Sequence, residues 1–434
     1  VRLSAADIIK NNLFKQLLDK CNDNEMLKEQ VVTTYKDCWD EVFARNQSIC
    51  DIWDEERIFG NVKHSNLEFL LYCIACIKWG EDCDMFPQLE SVYNREAENM
   101  SYADLLAFVT EIKAYANIFM DYILKFKEEV DSETTNRYFK YNNHVDRLML
   151  ILLKFKIQMF YPHVIKRLYE VNLDTSNEDL IKDFAKLESF VVRRKLSTKG
   201  THDYTSKCYS IVKDGIDSLV ESDLANADAG ITDLDIKRYL ADTKDDTAKM
   251  ILFCIELYRR RDDAMDVNVL EYKYTLEHIM PKKWETHWST VPIVDGDTVL
   301  DMQLEESKQY RKQTIESIGN KTLLTCNLNS SIKNAGFDKK IFGDGDEKPG
   351  YKSHTMLLLT KEIVSLYESD ANWNENSISK RADMLFNEFL VLWPSYSETV
   401  QSSQALVVDH DADPDLSKFT QEQLDNPIEL LGVL

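Results

Sequence analysis

Glycine and proline are scarce in this 434-residue sequence, at 12 and 8 residues, which excludes collagen-like and low-complexity chains. Apolar runs of membrane-spanning length are missing too. None approaches the ~20 residues a spanning helix needs, and the strongest, residues 148–153, stops at Lys154. The opening residues do not read as a signal peptide. Positive charge is in deficit: 52 Lys and Arg against 75 Asp and Glu give a formal net charge of −23. Such a balance argues against indiscriminate nucleic-acid binding, because that affinity comes from neutralising phosphates. The nine cysteines are odd in number and follow no regular framework, so reduced thiols and a cytoplasmic location are expected. The closest to a metal spacing is Cys73 with Cys76, but it lies in a stretch that is apolar nearly all round and reads as a buried helix. Cys83 and His64 are too few to complete a zinc site.

What is present is helix-forming. Leu, Ile, Lys and Glu dominate long stretches, and 44% of residues are hydrophobic, so the chain is expected to be mainly α, with two or three domains. Helix follows helix from residue 5 to about 270. Residues 142–170 carry apolar positions at helical spacing until Pro162 interrupts them. Thr175 to Glu178 is a capping signal for a helix reaching Arg194, and Thr232-Asp233 opens another. Residues 247–261 read as an apolar helix ending in three arginines, favourable at a helix C-terminus. Two further helices are expected at 351–366 and 377–392, followed by an acidic tail beyond Pro394.

The informative departure begins at Leu276-Glu277-His278-Ile279-Met280-Pro281. Residues 275–279 are β-branched at both ends and stopped by Pro281, so they read as a strand ending in a turn; residues 321–325 read the same way. After these, Asn327 to Ser331 is rich in capping side chains, and Ile332, Phe337 and Ile341 have helix-compatible spacing. The unit is therefore strand, long loop, strand, helix. Glu277 offers a hard oxygen ligand for a divalent cation, Asn329 a second, and His278 a base for water. The loop at 285–310 is longer than a hairpin needs and reads as an insertion. Trp284, His287 and Trp288 at its start are expected to anchor it in a core. The remaining histidines, His64, His144, His163, His202, His354 and His410, show no partner spacing and read as surface or capped residues.

This arrangement resembles the HNH nucleases, whose ββα-metal fold holds one cation between a hairpin and a helix. More specifically, L-E-H-I-M-P, I-G-N-K-T-L-L-T (318–325) and L-N-S-S-I-K-N-A-G-F-D-K-K (328–340) are similar to the C-terminal nuclease domain of the GmrSD-type restriction endonucleases, modification-dependent enzymes of bacterial phage defence. Residues 187–195 and Trp373 with Ile378, Arg381 and Ala382 resemble other stretches of that family. Lys282 and Lys333 depart from it, standing where Gln and Ser are common. Residues 3–14 look like the end of the family's ParB-like, nucleotide-dependent sensor, whose D-G-Q-R signature the sequence lacks. A fragment without its sensor is therefore expected.

The resemblance implies a DNA endonuclease using Mg²⁺ (or Mn²⁺) held by Glu277 and Asn329, with His278 as general base and Asn320 bracing the loop and orienting it. Lys340, with Lys339 and Asn334, would contact the phosphate. Expected partners are DNA, in particular the modified DNA of phage, and nucleotide only through the missing sensor; a homo-oligomer is compatible, and no membrane is implied. The implied division is a sensor remnant at 1–15, a helical domain at 16–270, the ββα unit at 271–345, C-terminal helices at 346–397 and an acidic tail at 398–434. Three basic islands stand out: Arg193, Arg194 and Lys195; Arg259, Arg260 and Arg261; and Lys333, Lys339 and Lys340. The arginine clusters read as solvated faces, whereas Lys339 and Lys340 read as facing substrate. The rival reading is an acidic helical interaction scaffold carrying a decayed nuclease fold.

Overall fold

Helices begin where the sequence supplies an acceptor for their unpaired amide groups. Ser4 caps α1 (Ala5–Lys20), Ser65 caps α2 (Asn66–Trp79), Asn143 caps α3 (His144–Lys154) and Asn177 caps α4 (Glu178–Leu196). The computed structural model describes residues 3–80, 85–134, 136–219, 231–262, 264–345 and 348–395; Cys83, His410 and the acidic tail lie outside them. The described residues fall within one compact unit that ends at Ser395. Within it α1 packs on the helices Met85–Asn99 and Tyr102–Phe119. Cys73 and Cys76 are buried along α2, core residues as their apolar surroundings indicate. Pro162 sits in the first turn of a new helix, Tyr161–Glu170, where its missing N–H goes unused.

Two antiparallel strand pairs interrupt the region expected to be helix throughout. β1 (Glu56–Phe59) pairs with β2 (Val62–Ser65), and β3 (Tyr138–Lys140) pairs with β4 (Val269–Glu271). Each strand has only three or four residues, too few for a two-residue period to show.

Apart from exposed Arg261, the arginines of the two clusters do not form solvated faces. Arg193 donates to Asp233 at 2.6 Å and to the Trp393 carbonyl at 2.9 Å, and Arg194 reaches Asp203 at 2.8 Å. At the end of α5 (Asp245–Arg259), Arg259 binds Glu388 at 2.8 Å and Glu362 at 3.1 Å, while Arg260 binds buried Glu256 at 2.6 Å. Guanidinium groups drawn into helix seams need acids beside them, and packing brings those acids from distant segments. His163 is likewise no surface residue: it is buried, with Nε2 2.6 Å from Asp183.

The C-terminal half brings the remaining strands into play: β5 (Thr275–His278), β6 (Ile293–Asp295), β7 (Thr298–Leu300) and β8 (Lys321–Leu324). Their helices are α6 (Glu305–Ile315), α7 (Cys326–Ile332), α8 (Phe337–Phe342), α9 (Leu358–Ser369) and α10 (Glu375–Leu392). The insertion before α6 is the β6–β7 hairpin. Trp284 and Trp288 are buried with Ile279, Met280, Ile332, Phe337 and Trp373 in one apolar cluster, as expected of anchors, whereas His287, expected with them, is exposed. One expectation needs correcting: Asn327 to Ser331 lie inside α7 rather than before it, because Thr325 is the cap. The helix then breaks at Lys333, whose φ of 36° is left-handed, and α8 starts afresh. Gly319 is required where it stands, since a Cβ there would meet the Ile378 carbonyl of α10 at 2.0 Å.

Candidate active site

β5 and β8 pair antiparallel, with His278 opposite Lys321 and Glu277 opposite Thr322. Cross-strand partners share a face and chain neighbours do not, so Glu277 and His278 work on opposite sides of one ribbon. α7 packs against β5, which places strand, strand and helix together in the order read from the sequence. Asn329 on α7 secures this contact: its amide nitrogen donates to Thr275 Oγ1 at 3.1 Å and to the Leu276 carbonyl at 2.9 Å.

Asn320 is a buried brace. Its oxygen accepts from the Met280 N–H at 2.8 Å and from Trp373 Nε1 at 3.1 Å. Its amide nitrogen donates to the carbonyls of Met280 at 2.8 Å and Ile315 at 3.0 Å. One side chain thus ties the turn after His278 to α6 and to the tryptophan preceding α10.

On the Glu277 face, Lys340 of α8 is fully buried; its ammonium donates to Glu277 Oε1 and, at 2.8 Å, to the His278 carbonyl. Burial pushes the Glu277 carboxyl up from its ordinary pKa, and the Lys340 charge works against that rise. Burial likewise pushes Lys340 down. Lys340 therefore serves Glu277 here rather than an open surface. Lys339 is exposed and paired with Asp344 at 2.9 Å. Exposed Asn334 and Lys339 line a cleft of about 650 Å³ with His287, Lys333 and Lys348.

On the other face His278 meets residues that sequence reasoning missed. Its Nε2 lies 3.5 Å from Asp245 Oδ1, in the first turn of α5, and 3.7 Å from Glu316 Oε2, just past α6. Lys321 approaches Asp245 at 2.9 Å, and Lys282 approaches Glu316 at 2.9 Å. Lys321 is fully buried and also donates to the Thr243 carbonyl. Nε2 is itself buried and makes no hydrogen bond. Burial, reinforced by Lys321 and Lys282 and opposed by the two carboxylates, holds the His278 pKa down at about 4, so the ring is neutral at pH 7. Of these groups only Lys282, at a position where the family commonly has Gln, carried any sequence signal. Asp245 lies upstream of the whole 271–345 segment.

Two places suit a cation in donor chemistry. At Glu277 the Lys340 ammonium already sits between the carboxylate and the His278 carbonyl, so a metal ion there would have to displace it. Asp245, His278 and Glu316 each offer a ligand atom, all within 4.8 Å of one another, though lysines already balance both carboxylates.

No curated protein matches the chain. Residues 230–388 match the family described as GmrSD restriction endonucleases, C-terminal domain. Both strands of the ribbon, α7, Asp245, Glu316 and Lys340 all fall inside that stretch. The stretch that holds the ribbon is thus similar to the C-terminal domain of the GmrSD restriction endonucleases, the family its motifs resemble.

Proposed function

We propose that the β5–β8–α7 unit, an HNH-type ββα site, is the hydrolytic centre of a DNA endonuclease in bacterial phage defence. The observation that carries this reading is His278: neutral at pH 7, at a strand end, inside the stretch that matches a restriction endonuclease domain. A neutral imidazole takes a proton from water as the water attacks phosphorus in line with the departing 3′ oxygen. Asn320 keeps the turn after His278 from shifting, and Asn329 keeps α7 on the strand. Mg²⁺ or Mn²⁺, when bound by Glu277 with Asn329, would supply electrophilic activation of the phosphate. Lys340 holds Glu277 and the His278 carbonyl in place, and exposed Lys339 and Asn334, along the neighbouring cleft, would meet the phosphate.

The substrate in this reading is modified phage DNA met in the cytoplasm, with nucleotide acting through an N-terminal sensor. The unit at 271–345 would carry the chemistry, between the segments at 16–270 and 346–397. Among the described residues no helix is long and apolar enough to cross a membrane. A second reading, an acidic interaction scaffold with an inactive nuclease fold, draws on the −23 charge and on arginines spent within the fold. Nicking of supercoiled plasmid with and without Mg²⁺ separates the two. The endonuclease reading expects Mg²⁺-dependent nicking that His278→Ala lowers ~10²–10⁴-fold. Because His278 Nε2 makes no hydrogen bond, this variant should fold normally. Equal nicking by the variant, or none by the native chain with its sensor restored, would overturn that reading.

A further inference from the structure

We infer that Asp245, with Glu316, is a positioning residue that fixes which nitrogen of His278 carries the proton, an inference that rests on the nuclease reading above. A neutral imidazole has one N–H and one lone pair, and its surroundings decide which nitrogen holds which. Nε2 is closed off from solvent and faces two carboxylate oxygens, at 3.5 Å and 3.7 Å. Carboxylates accept hydrogen bonds and cannot donate them. The N–H therefore belongs on Nε2, and the lone pair belongs on Nδ1. The His278 side chain keeps about 15% of its surface exposed, so the ring is not fully enclosed although its Nε2 is.

The carboxylates are themselves held. Lys321, on the strand opposite His278, grips Asp245 at 2.9 Å, and Lys282, beyond Pro281, grips Glu316 at 2.9 Å. Two acids and two lysines make a neutral frame around a neutral ring. The same three ligand atoms suit a metal ion by proximity, but here the negative charge a cation would need is already spent. Orientation of the imidazole by an outer carboxylate accounts for the geometry without any ion, and loss of such a partner costs between ~10- and ~10⁴-fold in activity. The frame also draws α5 into the site, so the catalytic ribbon is completed by a helix that precedes it in the chain.

The test uses the full chain with ¹⁵N-labelled histidine, the His278 signal being identified by its loss in His278→Gln. Nitrogen shifts should report the Nε2–H tautomer in the native protein and a mixture, or the Nδ1–H form, in Asp245→Asn combined with Glu316→Gln. The same double variant should lower kcat for plasmid nicking ~10–100-fold with KM for DNA within about twofold. Asp245→Glu should recover part of that loss. A native Nδ1–H tautomer would overturn the inference, as would an unchanged tautomer and kcat in the double variant. Loss of Mn²⁺ binding by calorimetry in Asp245→Asn would also overturn it, in favour of a metal site. If the native chain proved unable to cleave DNA, the nuclease reading would fall while the nitrogen shifts still decided the positioning role.

Discussion

Glu277 and His278 are consecutive in the chain, yet each answers to a different part of the fold. Glu277 is neutralised by Lys340 from α8, and His278 looks the other way toward Asp245 on α5. The alternation of a strand accounts for this. It places a buried ion pair and a candidate base back to back, and the His278 carbonyl also accepts from Lys340.

Lys340→Met should reveal whether Glu277 is a cation site. Breaking a buried pair leaves an uncompensated charge and costs ~3–5 kcal/mol. An added divalent ion can replace the lost ammonium, so Mn²⁺ should raise the melting temperature of this variant more than that of the native protein. The extra rise should vanish when Glu277→Gln is added. If Mn²⁺ stabilises native and variant chains alike, Glu277 does not hold the metal.

Asn320→Ala should be a stability variant before it is an activity variant. The side chain serves the Met280 amide, the Trp373 ring nitrogen and two buried carbonyls. Each of these four buried groups left unsatisfied costs ~1–3 kcal/mol, so a total loss of about 4 kcal/mol or more is expected in urea unfolding. Native stability together with abolished cleavage would move Asn320 from the scaffold to the chemistry.

Acid should weaken the fold through His278. Burial first, then the two lysines, hold its pKa at about 4 against an ordinary 6.5. Between those values the unfolded chain binds the extra proton, so stability is full above pH 6.5 and falls as the pH drops toward 4. The gap corresponds to an upper bound of roughly 3 kcal/mol. His278→Gln should flatten the urea midpoint across pH 4–6.5; an unchanged slope would mean that the ring is protonated in the fold.

DNA contacts should follow the exposed lysines and not the arginine clusters. Lys333→Ala and Lys339→Ala, both at the cleft beside α8, should each reduce the slope of log K against log salt by ~1. Arg259→Gln should leave that slope alone and lower stability, because its guanidinium is committed to Glu362 and Glu388. Fluorescence anisotropy on one duplex across a salt series decides between them, and a steeper loss with Arg259 would restore the arginines to the binding surface.

What the sequence determined by itself was local. The strand end at His278, ahead of Pro281, the caps at Asn177 and Thr232 and the buried character of Cys73 and Cys76 depend on neighbours within a turn or two, and each can be read from adjacent residues. The pairing of residues 275–278 with 321–324 was legible as well, because both segments carry strand composition within a motif that fixes their order. The tertiary structure alone decided who meets whom. Asp245 reaches His278 from an upstream helix, Lys340 reaches Glu277 from a downstream one, and Arg193 and Arg259 find acids in other helices. A charge in water has no preferred partner; only burial makes an unpaired charge costly enough to select one, and burial is set by how the helices pack.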